Sequence, residues 1–425
     1  MLQKHSTLHA LIRKYLGIWG LAAAAVAGLL IGGNAAWAAD EQFVARANIT
    51  LSGGQKVTAF DISFDDPVIG LYLLADRTNA EVQAVDTYTN TLLTPYTATP
   101  AFAGATGNND TSGPDGVATI NHREIWAGDG NSTIKVIDII TGKTTHVINT
   151  GGVNRADELC FDPRDQLVMM ANDAEKPFPF VTIISTLTYT VLQTITMDGT
   201  VPFGSKVASP KATNGIEQCQ WDRRTGKFYV NIPEVNGPGN DSAPGAVVVI
   251  PGGTTPLAIE KVASIPLGKC AGPQGMAIGP DHQILLGCNN PNKTVPSTVI
   301  IDDRTYKVIE TITNQDGSDE VWYNEGDGQY FLARSGGANP QKLGIIDVDS
   351  DPGPSDQEVA IGLAGKGGNH SVAADPIFNQ VYVPIANNSG SSICSSTGGS
   401  DTQGCIAIFT STANDDPPIP LISKK

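Results

Sequence analysis

The sequence lacks the short motifs that assign a chemistry directly. It has no Cys-x-x-Cys-His, which excludes covalently attached c-type haem, and it has neither a Gly-x-Ser-x-Gly elbow nor a His-Glu-x-x-His zinc motif. The glycine-rich stretch Gly362–Gly368 departs from phosphate-loop spacing, and no helix is predicted after it. Any functional site must therefore be assembled from residues that are distant in sequence.

Basic residues are scarce. The chain has 27 Lys and Arg against 43 Asp and Glu, which is a formal net charge of −16. Such a chain repels nucleic acid and anionic lipid, so the expected partners are cations, cationic or neutral small molecules, or a component of the cell envelope. The acidity is equally explained if it only maintains solubility.

Long apolar runs are also scarce, apart from one at the amino terminus. Three basic residues precede an apolar stretch over Leu16–Ile31, and Ala36–Ala38 fits the small-x-small rule for cleavage. We predict a signal peptide over residues 1–38, the alternative being an uncleaved membrane anchor. Cleavage would change the charge to 24 − 43 = −19. The mature protein is then expected in the periplasm or outside the cell, without a membrane span.

What the sequence does contain is a repeat. Seven times, a polar residue opens an alternating apolar segment, and a second apolar run begins ten or eleven residues after that residue. The seven polar residues are Asp61, Asp115, Asp157, Glu217, Gln274, Asp319 and His370. Their spacing of 42 to 60 residues is close to the period of propeller blades. We predict an all-β fold, a seven-bladed β-propeller.

The seventh repeat is one strand short. It has strand-like segments at 371–374, 380–385 and 406–410, and an Asp/Pro-rich stretch follows. The alternating segment 42–51, which precedes the first repeat, would supply the missing strand and join both ends of the chain in the last blade. The predicted organisation is a signal peptide over 1–38, the propeller over 42–412 and a flexible Pro-rich tail over 413–425.

The six cysteines point to disulfides in an exported chain. The predicted pairs are Cys160–Cys219 between neighbouring repeats, Cys270–Cys288 within the fifth repeat, and Cys394–Cys405 across a Ser/Gly-rich loop. Cys160 and Cys219 lie at positions of opposite parity on the first strands of adjacent repeats, as two sulfurs that meet between blades require.

Several stretches carry a family resemblance. LYLLADRTNAEVQAVDTYTN at 71–90 and IWAGDGNSTIKVIDIITGKTTHVINTGG at 125–152 resemble the YVTN-type repeats of bacterial exported propellers, and KFYVN and VYVPIANN are similar. This resemblance implies a fold rather than a chemistry. More loosely, Gln274 with Gly279-Pro280-Asp281, and Asp157 with Asp162-Pro163, resemble the gluconolactonase and paraoxonase propellers.

The residue that opens each repeat is predicted to lie at one mouth of the central channel, because the innermost strands line that channel. Five of the seven are carboxylates, which when crowded take up protons or bind a cation. Oxygen ligands suit Ca²⁺, with Mg²⁺ or Mn²⁺ as lesser candidates, whereas zinc is disfavoured because only His370 supplies an imidazole. The predicted metal ligands are Asp61, Asp115, Asp157, Glu217, Gln274 and Asp319. The alternative is a water-filled mouth with solvated acids.

The second strand of each blade returns to the same face and is predicted to bring more polar side chains there. These are Asp76, Asp129, Asn172, Asp173, Asn289, Arg334 and Asn387, of which Asn172, Asn289 and Arg334 are candidates for substrate binding. Arg334 would hold a substrate carboxylate or an oxyanion, or else pair with Asp319. Phe161, Trp221 and Tyr323, each four positions after a rim residue, are interpreted as core between blades.

Two functions of different classes follow. In the first, the metal polarises the carbonyl of a small lactone or ester, and Asp157, Glu217 or Asp319 activates water, with His370 as the alternative base. In the second, the protein is a binding or scaffold propeller of the cell envelope that performs no chemistry. The acid-rich rim favours the hydrolase, and the YVTN-type layout favours the binding module. A monomer is expected in either case.

Overall fold

Seven antiparallel four-stranded sheets follow one another along the chain, one for each repeat. The computed structural model describes residues 42–412 except 290–297, 316, 336–339, 349–354, 365 and 367. The predicted signal peptide and tail lie outside these residues. The innermost strands of successive blades contact one another in chain order, and the last contacts the first. The fold is therefore the predicted seven-bladed β-propeller.

The first half of the described chain forms blades 1 to 3 and one strand of blade 7. That strand is β1 (Phe43–Ile49). Blade 1 contains β2 (Ser63–Asp66), β3 (Leu71–Asp76), β4 (Glu81–Asp86) and β5 (Thr91–Leu92). Blade 2 contains β6 (Val117–Ile120), β7 (Glu124–Asp129), β8 (Thr133–Asp138) and β9 (Thr144–Asn149). Blade 3 contains β10 (Leu159–Asp162), β11 (Leu167–Asn172), β12 (Phe180–Ser185) and β13 (Thr190–Thr196).

The second half completes the ring. Blade 4 contains β14 (Cys219–Asp222), β15 (Lys227–Ile232), β16 (Gly245–Pro251) and β17 (Lys261–Ile265). Blade 5 contains β18 (Pro273–Ile278), β19 (Gln283–Cys288), β20 (Thr298–Asp302) and β21 (Val308–Ile312). Blade 6 contains β22 (Ser318–Asn324), β23 (Gln329–Arg334), β24 (Lys342–Asp347) and β25 (Ser355–Ala360). Blade 7 contains β26 (Ala373–Asp375), β27 (Gln380–Ile385) and β28 (Cys405–Ser411) beside β1.

Helix is minor in the described chain, as the prediction of an all-β fold requires. The helical segments are α1 (Ile393–Ser396) and two 3₁₀ turns at Ser52–Gly54 and Asn109–Thr111. Within the part of the chain that the structure describes, no helix is both long and apolar enough to cross a membrane.

The middle strands of the blades are buried on both faces because each blade packs between two neighbours. Every residue of β3 and β11 is buried, and both strands read as nearly continuous apolar runs. The outermost strands β9 and β13 are mostly exposed. The core therefore lies between blades, and the first residues of each blade are left to line the central channel.

The ring closes through the amino-terminal strand, as predicted. β1 pairs with β28, from Phe43 opposite Ser411 to Ile49 opposite Ile406, with a register shift between Ala45 and Ala47. The blade order β1-β28-β27-β26 thus joins both ends of the propeller in one sheet and covers an edge that would otherwise be unpaired.

The propeller contains three disulfides, and all three are the predicted pairs. Cys160–Cys219 joins β10 to β14, the innermost strands of blades 3 and 4, with Cα atoms 5.7 Å apart. Cys270–Cys288 and Cys394–Cys405 lie within blades 5 and 7. No cysteine remains free.

Candidate functional site

The backbone holds the opening residues of the first four repeats in equivalent positions. The N–H groups of Asp61, Asp115, Asp157 and Glu217 each donate to the fifth residue of the second strand in their own blade, at 2.8–3.0 Å. The innermost strand therefore pairs beyond its assigned start, and this extra hydrogen bond fixes each side chain at the same end of the channel.

A cavity of about 830 Å³ opens at this mouth. Six of the seven predicted rim residues line it: Asp61, Asp157, Glu217, Gln274, Asp319 and His370. The seventh, Asp115, is fully enclosed, but one of its carboxylate oxygens lies within 4.8 Å of oxygens of Asp61 and Asp157. The register counted along the sequence is thus correct for the rim.

Two arginines that the sequence analysis did not single out neutralise part of the rim. Arg77 bridges blades 1 and 2: its Nη2 donates to Asp61 Oδ2 at 2.5 Å and also contacts Asp115 Oδ1, to which its Nε donates at 2.8 Å. Its Nη1 donates to Asn109 Oδ1 at 2.7 Å. The guanidinium is therefore fully engaged and 5% exposed.

Arg155 performs the same role in blade 3. Its Nε and Nη2 donate to the two oxygens of Asp173, at 3.0 and 2.7 Å, and its Nη2 lies 2.9 Å from Asp157 Oδ2. This bidentate arrangement orients both carboxylates. The desolvation of Arg155 is outweighed by Asp157 and Asp173, so its pKa is raised well above the usual value.

The remaining rim groups have weaker partners. Gln274 Nε2 lies 3.4 Å from Glu217 Oε1. His370 Nδ1 lies 3.4 Å from Asp61 Oδ1 and 3.5 Å from Asp319 Oδ2, and the imidazole stacks on Phe60 with ring centroids 5.2 Å apart. The arginines thus compensate the blade 1 to 3 side of the mouth more than the opposite side.

Acids outnumber cations around the cavity. Eight carboxyl groups line it against three cationic side chains and His370. The acids are Asp61, Asp110, Asp157, Glu158, Asp173, Glu175, Glu217 and Asp319, and the cations are Arg77, Arg155 and Lys176. This excess has to be relieved by protons or by a bound cation.

The pKa values reflect this crowding. Burial raises the pKa of Asp115 and Asp157 well above the usual value, although Arg77 and Arg155 oppose the change. Burial also raises the pKa of Glu217, and nearby Asp319 and Asp173 raise it further. Burial acts on Asp61 too, but Arg77, His370 and Arg155 outweigh it, so its pKa is lowered. Asp61 is therefore the ionised partner of Arg77.

The oxygens of the Asp61, Asp115 and Asp157 group suit a hard cation. Arg77 and Arg155 use Oδ2 of Asp61, Oδ1 of Asp115 and Oδ2 of Asp157, and leave the second oxygen of each carboxylate to other partners. Asp115 Oδ2 is buried and has no hydrogen-bond partner among the described residues. An all-oxygen group with such an orphaned atom fits Ca²⁺ better than zinc.

The three residues predicted to bind substrate lie away from the cavity. Asn172 donates to Ser132 Oγ and Thr150 Oγ1 between blades, Asn289 donates to Asp241, and Arg334 pairs with Glu358. None of the three predicted residues is among those that line the cavity.

The residue that follows the second strand reaches the mouth instead, and one such residue, Asp173, is among the polar side chains predicted there. β3 ends at Asp76 and β11 at Asn172, and in both blades the next residue, Arg77 or Asp173, lines the cavity. Neighbouring side chains along a strand point to opposite faces, so Asp76 and Arg77 cannot both point into the mouth. Extending the second strand of blade 1 by one residue in the sequence would have identified Arg77. Arg155 lies in the segment before β10, where no periodic signal exists.

Comparisons with known proteins support the architecture. No protein-family model matches the chain, and no curated protein matches it. A structure titled "Crystal Structure of Mitotic Checkpoint Complex" aligns over 91% of this chain and 99% of that chain, with a TM-score of 0.52 and 12% identity. Kuenenia stuttgartiensis hydrazine synthase aligns over 79% of this chain and 94% of that chain, with a TM-score of 0.55 and 13% identity.

These likenesses show the fold alone. At such identities they carry no substrate, cofactor or partner from one protein to the other. Membership of the YVTN-type or the gluconolactonase and paraoxonase families stays a prediction from the sequence.

Proposed function

We propose that this protein is an exported propeller whose channel mouth binds a divalent cation, Ca²⁺ before Mg²⁺ or Mn²⁺. The observation that carries the proposal is the Asp61, Asp115 and Asp157 group, whose carboxylate oxygens lie within 4.8 Å of one another. Glu217, Gln274 and Asp319 offer further oxygens on the same cavity. Three disulfides and the predicted signal peptide support export.

The guanidinium groups of Arg77 and Arg155 are compatible with a bound cation, because they do not use all of the carboxylate oxygens. Each holds a carboxylate through one oxygen and so orients the other, which is how outer partners commonly position metal ligands. With eight carboxyl groups against three cationic side chains, a divalent ion would also reduce the repulsion that remains.

Calcium binding is tested with the Asp115→Asn variant. We expect the wild type, dialysed against EDTA and then against buffer with physiological salt, to bind one Ca²⁺ per chain in calorimetry and to melt at a higher temperature with Ca²⁺. Asp115→Asn replaces a carboxyl group that can ionise when the cation binds with an amide that cannot, and should lower the affinity about tenfold or more. Asp281→Asn, on an exposed turn, is the matched control.

The outcome against the proposal is equally clear. A wild-type protein that binds no Ca²⁺ at millimolar concentration would reject it, as would an equal loss of affinity in Asp115→Asn and Asp281→Asn. Circular dichroism of both variants in EDTA shows whether Asp115→Asn is folded, so that a loss of binding is attributed to the site.

A second candidate function, hydrolysis of a lactone or ester, is favoured by the position of His370. Its Nδ1 lies between carboxylates of Asp61 and Asp319, and the side chain is 23% exposed to the same cavity. Such a His would accept a proton from water, and a cation held by the rim acids would polarise the carbonyl group and stabilise the developing oxyanion. Asp157, Glu217 and Asp319 are the alternative bases.

The hydrolase is tested on a panel of lactones and esters with Ca²⁺ present. If His370 is the base, His370→Gln should lower kcat about a hundredfold or more, whereas His146→Gln on an exposed outer strand should not change it. A wild type without turnover on the panel would leave the mouth as a binding site. A His370→Gln variant as active as the wild type would exclude His370 as the base.

A further inference from the structure

A second cavity opens at the other end of the channel, with a volume of about 650 Å³. Five partly exposed aromatic side chains lie in its wall: Phe64, Phe161, Trp221, Trp322 and Tyr323. They belong to the innermost strands of four blades. We call this cavity the aromatic funnel.

The rings have a double role. Phe161, Trp221 and Tyr323 are predicted from the sequence to be core between blades, and each packs against a buried cluster. Each of these residues nevertheless also lines the funnel, where Phe64 and Trp322 contact each other edge-on, with ring centroids 5.7 Å apart. The funnel therefore presents ring surface from several directions to whatever enters it.

Two buried glutamates lie deep in the channel. Glu158 lines both cavities, so it lies between the two mouths, and it is 7% exposed. Its carboxyl group receives no hydrogen bond from any residue that the structure describes. Glu320 lines the funnel and accepts hydrogen bonds from Ser371 Oγ at 2.6 Å and from the Val372 N–H at 3.0 Å. Burial, and then the nearby Glu217 and Glu320, raise the pKa of Glu158 well above its usual value, so this carboxyl group, which faces both cavities, either holds a proton or meets a cation that enters them.

The charge of these acids is not neutralised by a basic side chain in the funnel wall. Among the described residues that line the funnel there is no Lys or Arg, and its His122 is paired with Asp66 at 2.8 Å. Outside the lining, Arg164 already lies 6.0 Å from the centroid of the Trp221 ring. Aromatic walls with carboxylates behind them are the environment in which organic cations bind, since ring faces and acids both attract positive charge.

We propose that the aromatic funnel binds an organic ammonium ion, with Phe64, Trp221 and Trp322 against its alkyl groups and Glu158 and Glu320 as its counter-charge. The volume of about 650 Å³ admits a ligand larger than an inorganic ion. This site is separate from the proposed cation site at the acidic mouth, because the rings belong to the opposite end of the channel.

The test compares choline with its neutral isostere, 3,3-dimethylbutan-1-ol, by calorimetry in excess EDTA and again with saturating Ca²⁺, so that choline bound at the acidic mouth is recognised by its loss when Ca²⁺ is added. Choline should bind in the millimolar range or tighter, and the alcohol about tenfold or more weakly, because it lacks the charge. Glu320→Gln, which changes an acid that lines the funnel and not the acidic mouth, should weaken choline binding about tenfold, whereas Glu310→Gln, on an exposed outer strand, should leave it unchanged.

The comparison of the two ligands on the wild type needs no variant, so it holds even if Glu320→Gln fails to fold. Equal affinity for choline and the alcohol would overturn the proposal and leave an apolar cavity. No heat with choline at about 10 mM would overturn it as well. Choline binding that survives unchanged in Glu320→Gln, or that is lost when Ca²⁺ is added, would place the cation elsewhere on this acidic protein and overturn the proposal.

Discussion

Replacing Arg77 by Met is expected to lower the free energy of unfolding by about 3–5 kcal/mol, because it leaves buried carboxylates without their counter-charge. Arg77 contacts both Asp61 and Asp115, whose side chains are 8% and 0% exposed. Its methylene stem is retained in part by Met, so the loss is one of charge and hydrogen bonds rather than of volume. Urea unfolding of the disulfide-intact protein measures the change.

The pH dependence separates lost charge from lost packing. The lowered pKa of Asp61 contributes stability above its unfolded pKa, and that stability is lost as the pH falls through the folded value. In Arg77→Met the folded pKa of Asp61 would instead be raised, so the variant should lose stability as the pH rises. The deficit between the two proteins should therefore shrink on acidification.

Arg223→Met is the matched control. Arg223 lies 3.4 Å from Glu325, but the side chains are 77% and 67% exposed, so its loss should cost less than about 1 kcal/mol. An Arg77→Met deficit as small as that of Arg223→Met, or one that does not change with pH, would show that the buried bridge contributes little.

Much of the architecture could be predicted because it depends on patterns of residues that are close together in the sequence. In the second repeat, strand alternation and turn residues predict strands at 117–120, 124–128, 133–139 and 144–149, and the strands of blade 2 lie within one residue of those bounds. Strand alternation and turn residues are properties of neighbouring positions, so a single sequence carries them. The same counting correctly aligned the rim and the three disulfides.

The residues of the site could be predicted less well, because they depend on where the charged groups of long side chains lie. Arg155 reaches Asp157 and Asp173 from an irregular segment, and its path is set by contacts rather than by periodicity. Arg334 lies on a regular strand but pairs with Glu358, two strands outward in the same blade. Register predicts which residues share a face, but it does not predict which partner a flexible arginine selects.

Asp65 breaks the repeat and provides the other large expected effect. It lies four positions after Asp61, where three other blades have Phe161, Trp221 and Tyr323. It is 2% exposed, and neither carboxylate oxygen has a hydrogen-bond partner in the described structure. Burial first, and then Asp375 and Asp66, raise its pKa to about 9. At neutral pH the folded protein must therefore take up a proton that the unfolded chain does not hold.

Because of this proton uptake, Asp65 lowers the free energy of unfolding by an amount that grows with pH. A group whose pKa is raised on folding contributes its full stability below the unfolded value of 3.8, and that stability is lost as the pH rises toward about 9. At about 1.4 kcal/mol per pH unit, the cost is about 4 kcal/mol at pH 7. Asp65→Asn has the shape of the protonated acid and does not titrate, so it should stabilise the protein by about that amount at pH 7 and change little near pH 4.

Urea unfolding of wild type and Asp65→Asn at several pH values between 4 and 9 decides the matter. Asp356→Asn, on the exposed face of the outermost strand of blade 6, removes the same charge without burial and should leave the wild-type pH dependence unchanged. Parallel curves for wild type and Asp65→Asn would mean that Asp65 is ionised in the folded protein. In that case a partner must reach its carboxylate from the interface of blades 1 and 7, because a buried charge without one would not persist.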